Sequence, residues 1–132
     1  MTQVYTDGSY QSSNNQGGWA FVVVEDGKIV YEDYDGCKDT TNNRMEITAV
    51  LNALLYMYPK KFELITDSQY VLGTICKNWK IKKNQDLWER LLGDEKRLTN
   101  NVSFTWVKGH GDNAGNVRAD FLACKGSNLW MS

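Results

Sequence analysis

Four acidic residues stand where acids are uncommon. Asp7 lies in Tyr5-Thr6-Asp7-Gly8-Ser9-Tyr10, a run of β-formers in which Asp is depleted. Glu46 falls in the first turn of a helical pattern that follows Thr40-Thr41-Asn42-Asn43. Asp67 ends the short apolar run Phe62–Thr66, and Asp120 sits inside the closing helix between Ala119 and Phe121. Each has an ordinary explanation. Asp7-Gly8 reads equally as a hairpin tip. Glu46 suits a helix dipole, Asp67 suits a helix cap, and Asp120 suits solvent. Together they suggest more. Thr6-Asp7-Gly8-Ser9 and Thr66-Asp67-Ser68 repeat one pattern on two strands, so neighbouring strands would make their carboxylates converge. Converging carboxylates repel and need cations. A set of oxygen donors suits hard ions such as Mg²⁺. Two such ions about 4 Å apart serve in-line attack on a phosphodiester, one activating water and one stabilising the leaving oxygen.

Rival chemistries lack their parts. The chain has one histidine, His110, which excludes a nuclease built on two. There is no G-x-S-x-G elbow and no G-x-x-x-x-G-K-[ST] loop. Cys37, Cys76 and Cys124 are odd in number and widely spaced, which suggests reduced thiols of a cytoplasmic protein rather than a zinc site or disulfide framework.

The elements that must position the four acids follow from periodicity. Val4–Tyr10, Trp19–Glu25 and Lys28–Tyr34 read as strands, with Ser12–Gly18 a polar loop and Asp26-Gly27 a hairpin turn. Arg44–Tyr58 has helical spacing and is stopped by Pro59. Phe62–Thr66 is a strand, and a helix starts near Gln69. Gln85–Leu98 is an amphipathic helix, Val102–Val107 the last strand, residues 110–115 a loop, and Asn116–Asn128 the closing helix. The order β-β-β-α-β-α-α-β-α implies an α/β fold: a mixed sheet, an antiparallel meander plus parallel strands, flanked by helices. The 132 residues fit one domain, 1–132. Net charge is −1, so any nucleic acid must be held by a local patch; the lysines from Lys77 to Lys83 offer one. No apolar run approaches a membrane span, and no leader is evident.

Five blocks in order resemble type 1 ribonuclease H: Thr6-Asp7-Gly8-Ser9, Thr40-Thr41-Asn42-Asn43-Arg44-Met45-Glu46, Thr66-Asp67-Ser68-Gln69-Tyr70, Trp106-Val107-Lys108-Gly109-His110, and Asn116 with Ala119-Asp120. The resemblance covers nearly the whole chain. It implies a ribonuclease H-like five-stranded mixed sheet. It implies catalysis and metal ligation by Asp7, Glu46, Asp67 and Asp120, with two Mg²⁺ ions, or Mn²⁺ in their place. It implies that His110 assists proton transfer or product release. The implied reaction is hydrolysis of the RNA strand of an RNA–DNA hybrid, leaving 3′-hydroxyl and 5′-phosphate ends. Substrate contacts carried over are Gly8, Ser9, Thr41, Asn42, Asn43, Gln69 and Asn116. Gln69 and the Gly8–Ser9 backbone would sense the wide, shallow RNA minor groove, and Gly8 would leave room for the RNA backbone. Arg44 reads as structural.

The chain departs from many bacterial relatives between Tyr70 and Asp86, where an extra helix and a full basic protrusion are missing. Trp79 and Lys80, with Lys77, Lys82 and Lys83, are left to grip the hybrid. Val117 replaces a frequent acid beside Asn116, and Ser12–Gln16 lacks a proline. Two other functions stay open: a binding module for hybrid or double-stranded RNA, and a nuclease of the same superfamily acting on DNA. A polymerase tail is a further possible setting. A monomer in the cytoplasm is expected.

Overall fold

The computed structural model describes residues 2–77, 80–93, 101–108 and 113–129. Its elements are β1 (Gln3–Gln11), β2 (Gln16–Glu25), β3 (Lys28–Lys38), α1 (Asn42–Met57), β4 (Phe62–Thr66), α2 (Gln69–Cys76), α3 (Gln85–Leu92), β5 (Val102–Trp106) and α4 (Ala114–Ser127). One five-stranded sheet has the order β3-β2-β1-β4-β5. β1, β2 and β3 pair antiparallel, whereas β4 pairs parallel with both β1 and β5. The expected mixed sheet is therefore present, with β1 at its centre.

Alternation along the strands splits the core into two layers. Val4, Phe21, Val23 and Leu64 face one way, onto Ile47, Val50 and Leu54 of α1 and Trp88 of α3. Tyr5, Ala20, Val22 and Ile65 face the other way, onto Ala119, Leu122 and Ala123 of α4. Asp26 and Gly27 both have positive φ (51° and 76°), the backbone of a tight hairpin between β2 and β3. The hairpin signal belongs there and not at Asp7-Gly8, which runs through β1.

Several boundaries differ from expectation for physical reasons. Gly17 and Gly18 belong to β2 rather than a loop. A Cβ on Gly18 would lie 2.1 Å from the Ala123 carbonyl oxygen of α4, so glycine here admits a helix backbone against the sheet. β3 continues to Lys38, paired with Gln16. α1 ends at Met57, because Tyr58 precedes Pro59 and takes an extended ψ of 133°. α4 begins at Ala114, not Asn116; the Asn113 side chain accepts from the amides of Gly115 (3.0 Å) and Asn116 (3.5 Å). The expected helix from Gln85 is described to Leu92; its continuation to Leu98 lies outside the described residues. Among the described residues no helix is long and apolar enough to cross a membrane.

Candidate active site

β1 and β4 lie side by side in parallel, with Thr6 opposite Thr66. The next residue on each is an aspartate, so the register carries Asp7 and Asp67 to the same end of the sheet. This end holds the carboxyl termini of the parallel strands, where open α/β sheets place their sites. Ser68, not Asp67, caps α2: its Oγ accepts from the Val71 amide at 3.1 Å. Trp106 of β5 donates its indole N–H to the Asp67 carbonyl at 3.1 Å and holds the turn.

Glu46 arrives from α1. Thr41 caps that helix, accepting from the Arg44 amide at 3.2 Å. Arg44 then ties the helix start to α3 by paired bonds to Asp86 at 2.8 and 3.0 Å, the structural part expected of it. α1 crosses β1 at Gly8, where a Cβ would stand 2.6 Å from the Glu46 nitrogen and 2.8 Å from the Met45 carbonyl carbon. The expectation that Gly8 clears space for RNA is therefore corrected: that space is filled by α1. The Gly8 amide itself donates to Asp7 Oδ1 at 2.9 Å.

Asp7, Glu46 and Asp67 each offer a carboxylate oxygen, and these oxygens lie within 4.8 Å of one another. Asp7 and Glu46 are buried (4% and 5% exposed), and Asp67 is half-buried. Asp120, half-buried on α4, lies near enough to Asp7 to add to the upward push on its carboxyl. Burial first, then the charge of Asp67, pushes the Asp7 carboxyl up to about 8. Burial, then the charges of Asp7 and Asp67, holds Glu46 well above the usual carboxylate range. Glu46 Oε1 is buried without a hydrogen-bond partner among the described residues. An orphaned buried oxygen among mutually repelling acids is the signature of a place meant for positive charge. With oxygen donors only, a hard divalent cation fits this cluster.

Gln69 is exposed at the first position of α2 and lines a groove with Trp106. Asn43 and Lys80 come together with Tyr70, Lys82 and Lys83 around a cavity of about 460 Å³, while Asn42 is exposed beside them at the start of α1. Ser9 and Thr41 have their hydroxyls engaged, with Cys124 Sγ at 3.5 Å and the Arg44 amide respectively. Asn116 is buried (3% exposed) and lies inside the helix, which starts at Ala114; one turn before Asp120, its Oδ1 has no partner among the described residues. His110 and Trp79 lie outside the described residues. Two residues outside the expected set also shape the site: Asn113 as a cap and Trp106 as the clamp on Asp67. Asn113 was legible as an Asn ahead of a helical run; the Trp106 bond needs the β4–β5 pairing to be seen.

A family model described as RNase H matches residues 1–128. A ribonuclease H of Stutzerimonas stutzeri (strain A1501) is 40% identical over 138 residues, spanning 94% of this chain and 89% of that relative. One of Ralstonia nicotianae is 42% identical over 137 residues, spanning 93% and 89%. The crystal structure of RNase H1 from Halobacterium salinarum NRC-1 superposes with a TM-score of 0.78 at 30% identity, covering 95% of this chain and 96% of that one. LC11-RNase H1 in complex with an RNA/DNA hybrid has the same fold, with a TM-score of 0.81 at 23% identity and full coverage of both chains. The β1–β4 register, the clustered acids and these matches along the whole length agree, and this chain belongs to the RNase H family.

Proposed function

We propose that this chain is an endonuclease that hydrolyses the RNA strand of RNA–DNA hybrids. The observation that carries the reading is the convergence of Asp7, Glu46 and Asp67 near the carboxyl ends of β1 and β4, with Asp120 close enough to act on Asp7. The curated relatives are named ribonuclease H, and a neighbour in fold binds an RNA/DNA hybrid. Asp7, at the centre of the set, would hold cations together with Glu46, Asp67 and Asp120. Divalent ions, with Mg²⁺ the expected species and Mn²⁺ a substitute, supply a nucleophilic water at neutral pH and offset charge on the leaving oxygen.

The chain's own groups bind and orient. Asp7, Glu46, Asp67 and Asp120 would hold the cations that a scissile phosphate needs beside it. Gln69 offers an amide to the minor groove, whose 2′-hydroxyls distinguish RNA from DNA. Asn43, Lys80, Lys82 and Lys83 offer a polar and cationic cavity for a phosphate of the hybrid, with Asn42 beside it. His110, in the Trp106–His110 block, would move a proton or free the product. Products would carry 3′-hydroxyl and 5′-phosphate ends. The test is an end-labelled hybrid, single-stranded RNA and duplex DNA incubated with the chain and Mg²⁺. Cleavage of the RNA in the hybrid alone is expected. Binding without turnover, or cleavage of duplex DNA only, would replace this reading.

A further inference from the structure

Trp106 is 44% exposed although its N–H is tied to the Asp67 carbonyl. What remains open is the ring. It walls a groove of about 270 Å³ whose other sides are Gln69, Leu72, Gly73 and Lys77 of α2 and its end. The lining is mostly apolar, and Gln69 and Lys77 are its amide and cationic members. Gly73 brings no side chain to obstruct it. The groove adjoins the turn that carries Asp67, since Trp106 bonds the Asp67 carbonyl and Gln69 lies two residues beyond it.

We propose that this groove seats a nucleotide of the cleaved strand that flanks the scissile phosphate. The proposal rests on the hydrolytic reading above. Three features of a nucleotide match three features of the groove. In a paired hybrid the base faces are stacked on one another, but each sugar keeps an apolar face for an indole, whatever the base. A 2′-hydroxyl or base edge has partners for the Gln69 amide. A phosphate has the charge to meet Lys77. Because the indole that seats the nucleotide also clamps the Asp67 turn, the flanking nucleotide and the acidic cluster are held in one frame.

The test measures hybrid binding in the absence of divalent ions, by fluorescence anisotropy across a salt series, beside Mg²⁺-dependent cleavage. Lys77→Gln should reduce the steepness of log affinity against log salt by about 0.9, the share of one phosphate contact on duplex DNA. Trp106→Ala should weaken binding roughly tenfold, and Trp106→Phe, which keeps an aromatic face, should retain most of it. An unchanged salt slope in Lys77→Gln overturns the proposal. So does equal loss in Trp106→Phe and Trp106→Ala, because Trp106 would then act only through its bond to Asp67. If the parent chain cleaves no hybrid, the hydrolytic reading falls instead, whatever the variants do.

Discussion

Asp7 carries the conflict between burial and charge at the residue scale. Its folded pKa, about 8, stands above its ordinary 3.8, so the metal-free folded state holds a proton that the unfolded chain gives up. Stability without metal is therefore greatest at low pH with respect to this group. It falls as pH rises between 3.8 and about 8. Asp7→Asn removes the conflict and should raise metal-free stability at pH 8 by about 1–3 kcal/mol, the scale of relieving one uncompensated buried group. Thermal unfolding in chelator, with and without Mg²⁺, checks this: added Mg²⁺ should stabilise the parent and leave Asp7→Asn nearly unmoved. Asp7 and Asp67 were legible from the Thr-Asp pattern repeated on two strands, and Glu46 and Asp120 from the blocks that resemble type 1 ribonuclease H. Their protonation was not, since it depends on four chain segments that only the fold brings together. The same holds for Gly8, whose missing side chain makes room for α1, a helix more than thirty residues away in sequence.

At the scale of elements, the site depends on how closely helices approach the sheet. Strand β1 delivers Asp7, α1 delivers Glu46, the β4–α2 turn delivers Asp67, and α4 delivers Asp120. α4 lies close on the sheet because Gly18, and with it Gly115 and Gly126 of the helix itself, has no side chain. Gly18→Ala should force α4 outward, cost about 1–3 kcal/mol as other overpacked contacts do, and lower cleavage by moving Asp120. Equilibrium unfolding in urea reads the first effect and initial rates the second. Element order and type were legible from period alone, since Met45, Val50, Leu54 and Met57 recur at helical spacing. The Gly17-Gly18 pair misled because turn chemistry and close backbone approach use the same residue. The start of α4 misled because Gly115 reads as a loop residue, whereas the Asn113 cap draws it into the first turn.

For the whole molecule, charge is distributed rather than summed. The net charge is −1, yet Lys80, Lys82 and Lys83 share one cavity with Asn43. Hybrid affinity should therefore fall with salt despite the acidic total. The double variant Lys82→Ala with Lys83→Ala should flatten the log–log slope by about 1–2 and weaken binding to all hybrid sequences alike. Titrations at several salt concentrations decide this. The cavity was not legible in the sequence, because Asn43 and the lysines lie about forty residues apart along the chain. The measurement that bears most directly on the central claim is a Mg²⁺ titration of hybrid cleavage by the parent chain and by Asp7→Asn. Saturable, Mg²⁺-dependent cleavage of the RNA strand is expected for the parent, with a loss of about 10³-fold or more in Asp7→Asn, a barrier change of several kcal/mol. Equal rates for the two proteins at saturating Mg²⁺ would contradict a hydrolytic centre built on the four carboxylates.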